Sequence, residues 1–443
     1  MNIRRFSSVL RIAPLLFALL LPLLISACSF TPRDPKEVEY WTMDTGDINL
    51  PAEKAIVAAF NKSQSQYHVN LVPVPGNITD LSQLMPAVRG GTGPDVFYLD
   101  RFTASQFAAI GLLQDLTPFI QKDDPNLGQK YLPFAWGEVL FRDHPYALPF
   151  NTDSRVLFYN KDALQQAGID PSVLDPSHGP ITIDQLQQIA FKFNHKDSRG
   201  SYDRIGFVPW TDQASHTTWA MDFNAQFFDP KTCQITPTEP AMVKALQLQY
   251  DWAGKMGKEQ VDTFFATFAP DNAPPTVNPF FSGHLAMTIT GNWELQSLQE
   301  YAPKVHYGVT YIPVANAGDK PSTWSGGFAL AMPQGSHNPD GAYKFMRFLT
   351  GAEGQRIYTK MTQQLPTWAD LLNDKSLFPG NLDFFAQILH FSRARVPLPV
   401  GAIFWDQLSN AQDKMVLHAD TPLNALQTVY KRVQPQLQQY CPL

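Results

Sequence analysis

The chain has 443 residues, of which 44% are hydrophobic and 17% charged, and its formal net charge at pH 7 is −6. A single hydrophobic core rarely serves a chain of this length, so two lobes are expected. The sequence has no basic stripe, and nucleic acid is therefore not an expected partner, because phosphate binding requires clustered Lys and Arg.

The N-terminus has the pattern of an export signal. Three arginines among the first eleven residues precede an apolar run over 12–25. This run is shorter than the ~20 residues of a membrane-spanning helix, so 1–27 is predicted to be a signal peptide. The run ends in Ile-Ser-Ala-Cys at Cys28, which resembles the lipobox of bacterial lipoproteins and predicts a lipid anchor on that thiol. An uncleaved anchor is the alternative, and the Arg4-Arg5 pair leaves the export route open between Sec and twin-arginine.

Alternating strands and helices begin after a polar tether over 28–37. Short apolar runs predict strands, and longer amphipathic runs predict helices between them. This order is typical of a mostly parallel sheet covered by helices, that is, an α/β lobe. The predicted elements are strands over 38–43, 69–74 and 96–99 and helices over 53–63 and 81–88.

The second half of the chain continues the mixed pattern. Thr182 is a good N-cap for a helix over 183–193, and Asn338-Pro339 opens a helix that runs to Leu349. Further strands are predicted over 146–150, 156–159, 286–290 and 328–332, and further helices over 240–253 and from residue 293.

Two cysteines remain beyond Cys28, namely Cys233 and Cys441. In an exported protein such an even remainder makes a disulfide plausible, which would pin the C-terminus to the second lobe. Two unrelated buried thiols are the alternative, and the sequence does not decide between them.

Four stretches together resemble the extracellular solute-binding proteins of ABC importers, in the sugar-binding branch that includes maltose-binding protein. Each stretch alone is a weak signal, but all four occur in the family's order behind a lipobox. They are GTGPDVFYLDRF (91–102), YALPFNTDSRVLFYNKDALQQAGI (146–169), FFSGHLAMTITGNWEL (280–295) and WSGGFALAMPQGSHNPDGAYKFMRFLTGAEGQ (324–355), the last followed by LPT (365–367).

The resemblance implies an α/β fold of two lobes, each with a mostly parallel sheet flanked by helices, hinged around a ligand cleft. It places 38–149 and 326–365 in the N-terminal lobe and 150–325 and 366–443 in the C-terminal lobe. It further implies a monomer that captures a sugar and hands it to the permease subunits of an ABC importer. The protein would then be lipid-anchored on the outer face of the cytoplasmic membrane.

A sugar site needs aromatic faces for the C–H surface of the ring and planar polar side chains for its hydroxyls. Asp100 and Arg101 follow a predicted parallel strand, at the end where α/β sheets bind ligands, and they match the family's Asp-Arg pair. The other expected contacts follow strands, lie on the predicted crossover or hinge, or match the family's pocket: Trp41, Asp44, Asn151, Trp210, Trp219, Asn292, Trp293, Trp324, Gly326, Gly327 and Arg395. Arg393 and Trp405 lie in a region that often completes such a site.

Other functions remain as alternatives. Asp44, Asp100 and Asp153 could supply paired carboxylates for a glycoside-acting enzyme. However, the sequence has no GxSxG, P-loop or HExxH motif, and its ten His are scattered, so neither an enzyme nor a metal or other cofactor is expected. A non-sugar ligand is the closer alternative, although phosphate esters would require more cleft Lys and Arg than the sequence suggests. The same fold would also serve a chemoreceptor or a scaffold.

Overall fold

The computed structural model describes residues 34–74, 83–212 and 214–443. The predicted signal peptide and the lipid anchor at Cys28 lie outside these residues. Among the described helices, none combines the length and apolarity needed to traverse a bilayer. The α-helices are α1 (Asn49–Ser63), α2 (Leu84–Arg89), α3 (Ala104–Ala109), α4 (Thr117–Asp123), α5 (Pro133–Glu138), α6 (Lys161–Gln166), α7 (Ile183–Phe193), α8 (Ser215–Asp222), α9 (Pro240–Met256), α10 (Lys258–Phe268), α11 (Trp293–Tyr301), α12 (Pro339–Leu349), α13 (Ala352–Thr362), α14 (Leu382–Ile388), α15 (Gly401–Val416) and α16 (Pro422–Leu437).

The strands are short, and many form two-residue ladders at turns and crossings. They are β1 (Glu37–Thr42), β2 (His68–Pro73), β3 (Val96–Asp100), β4 (Leu140–Phe141), β5 (His144–Pro145), β6 (Ala147–Pro149), β7 (Asn151–Thr152), β8 (Arg155–Asn160), β9 (His195–Lys196), β10 (Tyr202–Arg204), β11 (Phe228–Asp229), β12 (Gln234–Ile235), β13 (Met287–Gly291), β14 (Tyr307–Thr310), β15 (Thr323–Trp324), β16 (Phe328–Ala331), β17 (Leu365–Pro366) and β18 (Ser392–Arg393).

The first lobe contains a five-stranded sheet in the order β2-β1-β3-β16-β6. β1 is parallel to both β2 and β3, as the sequence predicts, whereas β16 is antiparallel to β3 and β6. Helix α1 covers one face, because Ala52, Ile56 and Phe60 recur every four residues and bury a continuous apolar stripe. Apolar clusters lie on both faces of the sheet, as expected for a sheet covered by helices.

The second lobe contains a three-stranded sheet in the order β13-β8-β14, with β8 antiparallel to both neighbours. This differs from the expected mostly parallel sheet. β8 and β16 run antiparallel to their neighbours for the same reason, because each is the first long strand after the chain passes from one lobe to the other. β16 begins opposite Asp100, at the carboxyl end of β3, and β8 begins opposite Gly291, at the carboxyl end of β13. A chain that enters a sheet at this edge must run against the strands that end there.

Local sequence signals explain several helix starts. Thr182 and Gln185 form a reciprocal capping box at the start of α7, which confirms the predicted N-cap. The Asn338 side chain accepts a hydrogen bond from the Gly341 N–H at 3.0 Å and caps α12, as expected.

A disulfide joins Cys233 and Cys441, with the Cα atoms 6.1 Å apart. Cys233 lies in the turn between β11 and β12, so this bond ties the end of the chain to the second lobe. The Gln434 side chain reinforces the same link, because it bonds both the Ile235 N–H and the Cys233 carbonyl. Helices α15 and α16 contribute buried residues to the same core, including Phe404, Leu408, Leu426 and Val429.

Candidate functional site

A cleft of about 940 Å³ lies where the carboxyl end of β3 meets the segments that pass between the lobes. Both lobes contribute to its walls. The lining residues are Asp100, Phe102, Asp153, Arg155, Thr290, Trp293, Trp324, Gly326, Gly327, Phe328, Gln364, Arg395, Ala402, Trp405 and Asp406. The volume is in the range of pockets that bury small organic ligands.

Aromatic rings form much of the wall. Trp293 begins α11, and its ring covers Gly291, where a Cβ would overlap the indole. Trp324 and Trp405 meet at a ring-centroid distance of 5.9 Å, and Phe102 lies 5.9 Å from Trp405. Trp293 and Trp405 are partly exposed and offer faces on which the C–H surface of a sugar ring can pack, whereas Trp324 is only 1% exposed.

The floor of the cleft carries two ion pairs. Arg395 holds Asp100 through two nitrogens, at 2.6 and 3.2 Å, and also binds Glu138 at 3.2 Å. Arg155 donates to Asp153 at 2.5 Å and lies 3.3 Å above the Trp324 ring. Each arginine therefore combines a carboxylate partner with aromatic contact, and Arg395 likewise lies over Phe102 at 4.5 Å.

The pKa values of the two arginines differ because their carboxylate partners oppose the effect of burial to different extents. Burial lowers the pKa of Arg155, and the single carboxylate of Asp153 only partly opposes it. Burial also acts to lower the pKa of Arg395, but the carboxylates of Asp100 and Glu138 outweigh it and raise the pKa above its usual value. Both groups are cations at neutral pH, so the floor presents matched opposite charges.

Two glycines allow the crossing segment to pass through the cleft. Gly327 has φ +124°, and a Cβ there would overlap Arg101 Nη1 and the Asn151 carbonyl. The Gly326 N–H donates to Asp153 Oδ1 at 2.8 Å, which joins this segment to the one that carries Arg155. Only glycine tolerates this backbone conformation at so close an approach.

Arg101 is fully buried and is not part of the cleft lining. Its Nε binds Glu138 at 2.9 Å, and its Nη atoms donate to the carbonyls of Asn151 and Gly326. These contacts use the guanidinium to join two crossing segments to α5. The Asn151 side chain also joins crossing segments, because its Oδ1 accepts a hydrogen bond from the Phe328 N–H at 3.0 Å.

Trp41 and Asp44 lie in the first lobe, outside the cleft lining. Trp41 Nε1 donates to Glu39 at 2.6 Å, and its ring packs against an apolar cluster. Asp44 Oδ2 accepts from the hydroxyls of Tyr98 (3.2 Å) and Tyr358 (3.5 Å), and burial raises its pKa.

Trp210, Trp219 and Asn292 are buried in the second lobe. Trp219 has no exposed surface, and its Nε1 donates to the Pro209 carbonyl at 2.8 Å. Asn292 accepts from the Ser154 N–H at 3.3 Å and donates to the Gln363 carbonyl at 3.2 Å. The structure thus brings together six of the expected residues in the cleft, namely Asp100, Trp293, Trp324, Gly326, Gly327 and Arg395.

Sequence reasoning missed several lining residues, of which Arg155 and Phe102 are the most prominent. Both stand next to residues that it did identify, since Arg155 follows the crossover and Phe102 follows the Asp-Arg pair. Their positions in the sequence could have identified them, because residues next to a segment that crosses between the lobes form part of the cleft wall. Within the described part of the chain, no group of three or more His, Cys, Asp or Glu side chains is placed to hold a metal ion.

Comparison with known proteins gives consistent results. Residues 47–356 match the family model described as "Bacterial extracellular solute-binding protein". The chain is 23% identical over 363 residues to a maltotriose-binding protein of Pyrococcus abyssi, covering 80% of this chain and 72% of that one. It is 26% identical over 365 residues to the sn-glycerol-3-phosphate-binding periplasmic protein UgpB of Escherichia coli K12, covering 78% of each.

Solved structures of similar fold include CpMnBP1 with mannobiose bound, with a TM-score of 0.75, 22% identity, and coverage of 90% of this chain and 99% of that one. Another is the ABC substrate-binding protein Lmo0181 of Listeria monocytogenes in complex with cycloalternan, with a TM-score of 0.72, 20% identity, and coverage of 91% and 100%. At these identities the likeness establishes the two-lobe α/β fold.

Proposed function

We propose that this chain, which belongs to the bacterial extracellular solute-binding protein family, captures a sugar in the cleft between its lobes and delivers it to an ABC importer. The observation that carries the proposal is the composition of the cleft, in which aromatic faces surround ion pairs whose charges balance. The relatives named for maltotriose, mannobiose and cycloalternan are consistent with a saccharide.

The balance of charge favours a neutral, hydroxyl-rich ligand. Arg395 is paired with Asp100 and Arg155 with Asp153, so neither guanidinium needs an anionic ligand for neutrality. A sugar hydroxyl can donate to one of these carboxylates and accept from the neighbouring guanidinium, and both bonds are charge-assisted.

We further propose which side chains contact the sugar. Asp100 and Arg395 would bind hydroxyls on the first-lobe side, and Asp153 and Arg155 would do so from the crossing segment. Trp293 is the proposed stacking platform, because it is partly exposed at the cleft wall. Trp324 and Trp405 would complete the aromatic surface behind it, while Gly326 and Gly327 would offer backbone close to the ligand.

The capture mechanism depends on two lobes that move about the crossing segments. We propose the division 38–149 with 326–365 and 150–325 with 366–443, which agrees with the members of the two sheets and, apart from Phe150 and Leu365 at the boundaries, with their buried cores. Ligand drives closure only through contacts that it gains in the closed form. The closed form would then be the one that the permease subunits recognise.

The same proposal covers location and assembly. The lipobox ending at Cys28 supports a lipid anchor on the outer face of the cytoplasmic membrane, and a monomer is the expected state. A catalytic role is not proposed, because two of the cleft carboxylates, Asp100 and Asp153, are each held by an arginine. A glycosidase requires one carboxyl group that stays protonated as the acid, and a guanidinium partner opposes this.

A phosphorylated polyol is the second candidate ligand. Two guanidiniums line the cleft, and burial lowers the pKa of Arg155, so an added anion would stabilise that cation. The relatives named for sn-glycerol 3-phosphate point the same way. A phosphate ester would have to displace or share the carboxylate partners, which makes it the weaker fit.

A ligand screen by thermal shift and calorimetry tests the proposal. The panel contains mono-, di- and trisaccharides, together with glycerol 3-phosphate as the charged comparison. A binding sugar raises the unfolding temperature, because it stabilises only the folded state. Stabilisation by a neutral saccharide supports the proposal, whereas stabilisation by glycerol 3-phosphate alone would replace it with the second candidate.

A further inference from the structure

A second cavity of about 480 Å³ adjoins the cleft on the second-lobe side, and we call it the side compartment. Its walls include Thr211, Asp212, Thr288, Thr290, Glu294 and the proline-rich loop over 269–280. Thr290 lines both the side compartment and the cleft, and Glu294 directly follows the proposed stacking residue Trp293. The two cavities therefore border on each other at Thr290.

The side compartment differs from the cleft in its charge. Two of its lining residues, Asp212 and Glu294, carry carboxyl groups, and none of its described lining residues is Lys, Arg or His. In the cleft, by contrast, each of Arg155 and Arg395 has a carboxylate partner. Both residues are partly buried, and a carboxylate shielded from water without a counter-charge is destabilised, so this arrangement favours a cationic partner.

Only one of the two carboxyl oxygens of Asp212 has a hydrogen-bond partner among the described residues. Its Oδ1 accepts from the Thr288 hydroxyl at 2.9 Å, which fixes the carboxyl group against β13. Its Oδ2 is buried and accepts no hydrogen bond from any described residue. A buried oxygen left without a partner is uncommon in proteins and calls for a group that supplies one.

The environment of both acids favours a cationic partner. Burial raises the pKa of Asp212 to about 7, against the opposing hydrogen bonds from Thr288 and the Ile289 backbone. Burial likewise raises the pKa of Glu294, and no described residue forms an ion pair with it. A nearby cation would return both groups to the ionised form.

We propose that the side compartment binds a protonated amino group of the ligand, so that the sugar captured in the cleft carries an amine. The inference rests on the proposed function and narrows its ligand to amino sugars or glycosides with an amine-bearing unit. The sugar ring occupies the cleft, and its ammonium group donates to Asp212 and Glu294.

Matched sugars test this inference: glucosamine, N-acetylglucosamine and glucose, each also as the β-1,4-linked dimer, titrated calorimetrically at pH 7. The amine-bearing member of a set is expected to bind about tenfold more tightly than its acetylated and hydroxyl counterparts, since charge-assisted hydrogen bonds are about twice as strong as neutral ones.

Variants assign the preference to the side compartment. Asp212→Asn and Glu294→Gln should each remove most of the preference for the amine, whereas Asp271→Asn, an exposed acid of the same loop outside the lining, should keep it. Using two variants keeps the test valid if one of them fails to fold, which circular dichroism would reveal.

The outcomes separate the two proposals. If neutral sugars bind as tightly as their amines, or if the amine preference survives both substitutions, the inference is overturned and sugar capture stands. If no sugar of either kind binds the wild-type protein, sugar capture and the inference both fail.

Discussion

Replacing Asp100 by Asn removes one negative charge from the cleft while keeping the side-chain shape. Asp100 accepts two hydrogen bonds from Arg395, and its side chain is 15% exposed, towards the cleft. A hydrogen bond to a charged group contributes about 1.5–3 kcal/mol, so the loss of one such bond to a sugar hydroxyl should weaken binding about 10- to 150-fold.

The same substitution also affects stability, and the size of this effect can be worked out from the contacts. Breaking a buried ion pair costs about 3–5 kcal/mol when the remaining charge has no other partner. Here Arg395 keeps Glu138, and Asn still accepts one hydrogen bond and still caps the turn at Phe102. We therefore expect a loss of about 1–3 kcal/mol, and the protein should remain folded.

Calorimetry with the ligand from the screen measures the first effect, and urea unfolding measures the second. Asp383→Asn is the matched control, because Asp383 forms an exposed ion pair with Lys375 on the second lobe, outside the cleft. The control should bind as the wild type does. Unchanged affinity in folded Asp100→Asn would refute a role for this carboxylate in ligand binding.

Three further predictions concern the cleft wall, a buried acid and the disulfide. Trp293→Ala should weaken sugar binding by about tenfold or more because it removes an aromatic anchor, whereas Trp219→Phe, in the second-lobe core, should lower stability and leave calorimetric affinity unchanged. Asp222 has both carboxyl oxygens buried without a described partner, and burial together with Asp319 raises its pKa to about 8. Since the unfolded chain loses this proton near pH 4 and the folded chain near pH 8, wild-type stability should fall across that window. The gain in unfolding temperature from Asp222→Asn should therefore be larger at pH 9 than at pH 5, and equal gains would contradict this assignment. Cys441→Ser opens a loop of 208 residues, and the chain-entropy model predicts a loss of about 5 kcal/mol in the free energy of unfolding. The urea midpoint of the variant should match that of the reduced wild type. A midpoint equal to that of the oxidised wild type would contradict the prediction.

Local patterns were sufficient to locate much of the architecture and part of the candidate site. The Thr182 N-cap, the parallel strands β1, β2 and β3 and the position of Asp100 depend on residues near each other in the chain or on the rule for the edge of an α/β sheet. Gly327 was accessible for the same reason, because its backbone conformation is one that few other residues can adopt.

Side-chain direction could not be obtained in this way. Arg101 follows Asp100 directly, yet it turns inward because Glu138 and two crossing-segment carbonyls receive its guanidinium, and these partners are 37 to 225 residues away in sequence. Trp219 and Trp293 are both tryptophans, and each lies in a helix of the second lobe, so residue type and local structure do not distinguish them. Only the packing of the second lobe determines that Trp219 is sealed in the core while Trp293 faces the cleft.

The helices of the C-terminal region show the same limit. Trp405 lines the cleft because α15 begins beside Phe102, where Gly401 lies in contact distance of the phenyl ring. This docking depends on a contact across about 300 residues of sequence. The antiparallel direction of β8 is likewise a consequence of the crossing between lobes, which the apolar pattern of the strand does not encode.

A crystal structure with the sugar identified by the screen tests the central claim most directly. The proposal predicts the ring of that sugar against Trp293, with its hydroxyls within hydrogen-bond distance of Asp100 and Arg395 and protein on both sides. A sugar bound elsewhere on the protein, with the cleft occupied by solvent alone, would contradict it.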